Sequence, residues 1–258
     1  MSESGMTLNV LWLWPDILNL HGNRGNAMAI TRVAKLYDIE TNITRVTRLS
    51  DSFDLTSADI VLLGTGELAV MPDISGALSK HASALKDYTE SGGVIFAVGT
   101  TASAIGVHTT RVDDSHIYGV GLLDIECKER NVVLGDDLIF RIDDSVGAGM
   151  PVYGIQIQMI DIKLGEGQTP LGNLTYGYGN NGTGTEGAIN NGIVFTNALG
   201  PVLIKNPWLA LELIKKASLR KAPNMDPNTF KFDPSLFEIE IASAKAIQMF
   251  NDKKEKPR

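Results

Sequence analysis

Cysteine is nearly absent from this chain of 258 residues, where Cys127 stands alone. A single thiol forms no internal disulfide, and nothing here argues for an oxidising compartment. Histidine is scarce as well: His21, His81, His108 and His116 are the four, and they are scattered. Positive charge is outweighed, with 23 Lys and Arg against 30 Asp and Glu and a net charge of −7. A surface of that sign repels phosphate backbones, so nucleic acid is not expected as a partner. The densest basic run, Lys253, Lys254, Lys256 and Arg258, is interrupted by Glu255 and reads as a solvated tail. Long apolar runs are missing too. None approaches the ~20 residues that span a bilayer, and Met1 to Thr7 lack the basic start and apolar stretch of a signal peptide. The expected location is cytoplasmic, with no transmembrane segment.

What is present suits a globular α/β protein. Hydrophobic residues make up 43% and charged residues 21%, and 26 glycines fit a fold rich in strand-to-helix turns. Leu8–Trp14 is apolar and stops at Pro15, as a buried strand does. The spacing of Met28, Ile30, Val33, Ala34 and Tyr37 predicts a helix over 27–37 with those residues on one broad face. Short strands follow at 43–46 and 59–63. A single helix is predicted over 74–88, closed by Gly92 and Gly93. Val94–Val98 is a fully apolar strand that turns at Gly99-Thr-Thr101 into a small-residue helix ending near Gly106. Strands alternating with helices at this spacing predict a parallel sheet covered on both faces.

Beyond Gly119 the pattern becomes more antiparallel, with strands predicted at 122–130, 138–142, 152–164, 173–178, 192–196 and 201–204. Pro207 opens a helix to about Leu219. Residues 222–232 are a Pro/Asn-rich linker, and 234–250 is a terminal helix. In that helix Phe237, Ile241, Ala244 and Phe250, with Leu236 and Ile247 beside them, suit docking on the body or on a partner. The expected organisation is one large domain over 1–221 with a linker and appended helix over 222–258.

Three stretches carry a resemblance. They are Pro15-Asp-Ile-Leu-Asn-Leu-His-Gly-Asn-Arg-Gly-Asn26, Tyr176-Gly-Tyr-Gly-Asn-Asn181 followed by Glu186-Gly187, and Gly200-Pro-Val-Leu-Ile-Lys-Asn-Pro207. In this order they resemble the glutamine amidotransferase subunit of lipid II isoglutaminyl synthase, a relative of the amidase domain of cobyric acid synthase. The resemblance spans most of residues 7–221. It implies a flavodoxin-like class I glutamine amidotransferase sandwich, with a central, mostly parallel sheet between helices. It also implies a Mur-ligase-like amide ligase as partner, which activates a glutamate of the lipid II stem peptide while this subunit delivers ammonia from glutamine.

That chemistry needs a thiolate on a tight strand-to-helix turn, backbone N–H groups for the oxyanion, and a histidine as proton carrier. In the family the turn reads Cys-Gly-Gly-Tyr-Gln. Here the stretch is Val98-Gly-Thr-Thr-Ala-Ser103, so the nucleophile slot falls on Gly99, or on Val98 if the turn is shifted by one. The family's Leu-His-Gly-Pro corresponds to Ala198-Leu-Gly-Pro201, which puts Leu199 in the base slot. The Gly-Gly-Gly loop corresponds to Gly64-Thr65-Gly66, and with Thr100 and Thr101 this would be a vestigial oxyanion pocket. A strand reading Glu-Asn-His-x-Gly-Arg in the family is Ile155-Gln-Ile-Gln-Met-Ile160 here. The resemblance therefore implies a scaffold without glutaminase chemistry of its own.

Other readings have less behind them. Thr100, Thr101 or Ser103 would need a base to act as an alternative nucleophile. Cys127 lies in a strand pattern and reads as a plain buried thiol. Gly64-Thr-Gly66 lacks the setting of a dinucleotide loop. The Asn180–Thr185 stretch reads as a hairpin loop, although it has the makings of an anion cradle. Trp12 and Trp14 read as packing residues. The acidic pairs at 113–114, 136–137 and 143–144 do not form a ligand set. No cofactor or metal is expected. The functions to be weighed are a degenerate subunit serving the ligase, a stand-alone small-molecule sensor built on the old pocket, and an amidase with an altered nucleophile. A homo-oligomer is compatible with each.

Overall fold

The computed structural model describes residues 5–142 and 149–253. Asp143 and Asp144, and Lys254, Glu255, Lys256 and Arg258 of the basic tail, lie outside the described residues, as do Met1 to Ser4. In chain order the first half comprises β1 (Thr7–Leu13), α1 (Arg24–Leu36), β2 (Glu40–Val46), β3 (Ile60–Leu63), α2 (Met71–Ser79), α3 (Ala82–Glu90), β4 (Val94–Val98) and α4 (Ala102–Ile105). The second half adds β5 (His108–Thr110), β6 (His116–Tyr118), β7 (Ile125–Arg141), β8 (Pro151–Leu164), β9 (Gly172–Tyr176), β10 (Thr185–Glu186), β11 (Ala188–Asn190) and β12 (Ile193–Thr196). Three helices follow: α5 (Val202–Lys205), α6 (Pro207–Lys221) and α7 (Glu238–Asn251).

Among the described residues the strands make two six-stranded sheets. The first has the order β11-β12-β4-β3-β1-β2 and is parallel except at β11. Side chains of a strand alternate between the faces, and here both faces are covered. Val10, Trp12, Leu62, Phe96 and Val194 pack with α1 and α6, while Leu11, Leu13, Val61, Ile95 and Phe195 pack with α2, α3 and α4. The second sheet, β10-β9-β7-β5-β6 with β8 on β7, is mainly antiparallel. The chain thus has the expected α/β architecture, a parallel half meeting a more antiparallel one.

Several elements differ from the sequence-based expectation. The helix over 74–88 is two helices, with the break at Lys80 and His81. The strands expected at 122–130 and 138–142 are parts of one strand, β7, whose register against β8 shifts between Glu129 and Leu134. A bulge of this kind bends a strand without ending it. The strand expected at 201–204 is helical, α5. Its Val202 and Leu203 are buried on α1, a burial that a short apolar run supports in either conformation. Met28 points away from the apolar face assigned to it and is 59% exposed. Among the described residues no helix is long and apolar enough to cross a membrane.

The segment after α6 is tied to the same core. Tight 3-10 turns at Pro227–Phe230 and Pro234–Phe237 start behind Asp226 and Asp233, whose side chains accept hydrogen bonds from the N–H groups of Asn228 and Ser235. They deliver Phe230 and Phe237 into full burial. Phe232 stacks on Phe237 and meets Trp208 edge-on. Along α7, Ala244 faces inward, whereas Phe250, expected on the docking face, is 61% exposed.

Candidate functional site

In open α/β sheets ligand sites form beyond the carboxyl ends of the strands. Here β12, β4 and β3 are neighbours running the same way. Their ends lead into Asn197–Leu199, Gly99–Thr101 and Gly64–Gly66, so the residues of the candidate site converge from three separate parts of the chain.

Gly99 is the pivot. Its φ is +64°, a left-handed conformation that favours glycine, whereas Val98 is extended with φ −136°. The sharp turn therefore sits at Gly99 and not at Val98. A Cβ built on Gly99 would lie 2.5 Å from Thr65 Oγ1 and 3.1 Å from Leu199 Cδ2. The missing side chain would project between these two residues, at the position where a nucleophile would face a base. Leu199 is 3% exposed and is held by backbone pairing to Ile155 of β8: Leu199 N–H donates to the Ile155 carbonyl at 2.8 Å, and Ile155 N–H donates back at 3.3 Å.

The two loops are locked by threonines. Thr65 Oγ1 accepts the Thr100 N–H at 3.1 Å and lies 2.9 Å from Thr100 Oγ1. Thr100 Oγ1 donates to the Gly66 carbonyl at 2.6 Å, and the Gly66 N–H points to it at 3.2 Å. Two backbone N–H groups on facing loops are thus satisfied by hydroxyls of the protein itself. Thr101 is fully buried and donates to the Val98 carbonyl at 2.7 Å. Ser103 is also fully buried, and its hydroxyl has no hydrogen-bond partner. The partners of Thr100 and Thr101 are backbone groups and Thr65, not a histidine or a carboxylate.

Little space is left. The cavity between Gly99, Thr100, Asn197 and β8 residues Ile157–Ile160 has a volume of about 10 Å³, at the lower limit for one water molecule. Gln156 and Gln158, on the strand that in the family reads Glu-Asn-His-x-Gly-Arg, are buried and turned into the hairpin loop. Gln156 Nε2 donates to the Gly179 carbonyl at 2.8 Å, and its Oε1 accepts from the N–H groups of Tyr178 and Gly179. Gln158 Nε2 donates to the Asn180 carbonyl at 3.1 Å. The Asn180–Thr185 stretch is thereby pinned: Asn180 is buried, and its N–H donates to the Thr185 carbonyl at 3.0 Å.

Beside this loop lies Glu186, fully buried. Its Oε1 accepts from Thr196 Oγ1 and from the Asn197 N–H, both at 2.7 Å, and its Oε2 accepts from Asn197 Nδ2 at 3.1 Å. Burial pushes its carboxyl above the usual range, and these donors oppose that shift without cancelling it. The sequence marked Glu186 as part of a motif, but its depth depends on the pairing of strands far apart in the chain. Cys127 is a buried thiol on β7, and burial pushes it up to about 12.

The motifs that carry the resemblance tie elements together. Gly25 abuts Pro201 so closely that a Cβ would lie 2.5 Å from the Pro201 Cβ. Asn26 Oδ1 accepts the Leu203 N–H at 3.0 Å. Asn206, fully buried, accepts the Tyr153 N–H at 2.8 Å and donates to the carbonyls of Tyr153 and Val202.

No family model matches the chain. Two curated relatives are similar to it, both described as lipid II isoglutaminyl synthase (glutamine-hydrolyzing) subunit GatD. The Streptococcus pneumoniae protein is 26% identical over 221 residues, which cover 83% of this chain and 82% of its own length. The Staphylococcus aureus protein is 25% identical over 226 residues, 85% of this chain and 88% of its own. Among solved structures, a glutamine amidotransferase superposes with a TM-score of 0.53 at 17% identity, covering 81% of this chain and 98% of that one. The structure of PurLQS from Thermotoga maritima gives 0.53 at 12% identity, covering 83% and 97%. At these identities the solved structures speak for the fold alone. The chain is a class I glutamine amidotransferase-like domain, similar along most of its length to the GatD subunit of lipid II isoglutaminyl synthase.

Proposed function

We propose that this chain is a catalytically degenerate glutamine amidotransferase-like subunit that partners a Mur-ligase-like amide ligase in amidating a peptidoglycan precursor. The observation that carries the reading is the Gly99 slot, which opens onto Leu199 and Thr65. Glutamine hydrolysis at such a turn requires a thiolate, a histidine and free oxyanion donors. Glycine and leucine supply neither nucleophile nor base, and the Thr65–Thr100 pair takes up the N–H groups of Thr100 and Gly66. The scaffold ties at Asn26, Pro201 and Asn206 are intact, which fits a subunit kept for what it binds. Within it we assign residues 1–221 to the amidotransferase-like domain and 222–258 to an appended segment that packs on the same core. The pathway and the ligase come from the names of the two relatives and from the motifs shared with their family.

The test is a reconstitution. The tagged chain is purified from its own cell with whatever ligase accompanies it, and amide formation is followed with glutamine or with ammonium as nitrogen donor. The reading expects activity with ammonium, no ammonia released from glutamine, and a loss of ligase activity or stability when this chain is omitted. Ammonia release that disappears on changing Thr100, Thr101 or Ser103 to alanine would establish an active amidase instead. An unaccompanied chain with a ligand-dependent rise in melting temperature would favour the sensor reading.

A further inference from the structure

A groove of about 520 Å³ runs along the outward face of α1, away from the Gly99 slot. A volume of that size is typical of small-molecule sites. One wall is a helical stripe, Arg24, Met28, Thr31 and Lys35, whose spacing of four, three and four keeps all of them on one face. The other wall is edge strand β2, from which Ile43 and Arg45 point the same way. Trp12 lines the floor beside β2, with the Arg45 guanidinium 5.5 Å from its ring centroid.

The charge of this groove is opposite to that of the protein as a whole. Arg24, Arg32, Lys35 and Arg45 line it against one acid, Asp16, on a chain of net charge −7. Arg45 is paired with Asp16 at 3.0 Å and Arg32 with Glu240 at 2.7 Å. Among the described residues Arg24 and Lys35 take part in no ion pair, and both are exposed. Two cations on successive turns of one helix, over an apolar strip of Met28, Ile43 and Trp12, describe a ligand with an anionic head and an apolar body.

We infer that this groove binds a phosphate monoester that carries an apolar group, with its phosphate between Arg24 and Lys35. The inference does not depend on the amidotransferase reading. A lipid headgroup and a soluble phosphate ester share this chemistry, and the experiment separates them. The full chain is titrated calorimetrically with hexyl phosphate, inorganic phosphate and hexanol. In parallel it is floated with phosphatidylcholine vesicles with and without phosphatidic acid. The expected order is hexyl phosphate above inorganic phosphate, with no binding of hexanol and a weakening as salt is raised. Binding to hexyl phosphate identifies a soluble ligand, and flotation only with phosphatidic acid identifies a headgroup; each supports the site. The double variant R24A/K35A should keep its melting temperature, since both side chains are exposed, and lose about tenfold or more in affinity. Absence of binding in both arms, equal affinity of the double variant, or hexanol binding as well as hexyl phosphate would each overturn the inference.

Discussion

Single positions at the strand ends are under opposing demands. Gly99 holds a left-handed turn and has Thr65 pressed against it, so alanine there meets both strain and contact. Gly99→Ala is expected to cost about 1–3 kcal/mol in chemical denaturation. Adding Thr65→Ala should recover only the share due to contact and leave the backbone share. Full recovery would mean that the turn carries no strain. Glu186 tests a different balance. Its pKa in the folded chain is raised, so the unfolded carboxyl loses its proton first as pH increases. The stability that Glu186 contributes is complete below the ordinary carboxylate range and fades as pH rises through the raised value. Melting curves at a series of pH values should therefore show a decline with increasing pH that Glu186→Gln flattens. An identical pH profile in the variant would remove Glu186 as its cause.

At the scale of elements, the terminal segment is an anchored clamp. Phe237 is fully buried, stacks on Phe232 and lies 5.9 Å from the Arg32 guanidinium. Phe237→Ala should lower stability by about 3–5 kcal/mol, readable as a drop in the denaturant midpoint. A shift below 1 kcal/mol would mean that α7 is not docked in solution. The apolar helices and strands were legible from periodicity, and the parallel core with them, because a strand such as Val94–Val98 has one plausible environment. Breaks such as Lys80–His81 and the bulge in β7 were not, since neither changes the local apolar pattern. The site was legible in its slots, Gly99 and Leu199, because these lie next to motifs. The Thr65–Thr100 lock was not, because two residues 35 apart in the chain reveal their contact only once β3 and β4 are paired. The same holds for Arg24 and Arg45, which face one groove from different elements.

At the scale of the molecule, one core cluster joins the first sheet, α1, α6 and the last segment. A chain ended after Lys221 would leave Trp208 and its neighbours without Phe230, Phe232 and Phe237. Each of these rings is worth roughly 1.5–3 kcal/mol when fully buried. Such a truncation should melt lower and bind a hydrophobic dye that the full chain ignores; equal melting and no dye signal would show the segment to be dispensable. The order of synthesis gives this clamp a further meaning. A ribosome that has reached Lys221 has already made every strand of both sheets, yet the rings that cover one flank are still to come. At roughly 5–20 residues per second, the ~30 residues up to the end of α7 take about 2–6 s. For that interval every newly made copy presents a bare aromatic flank, and chaperone demand in the cell is set by those seconds.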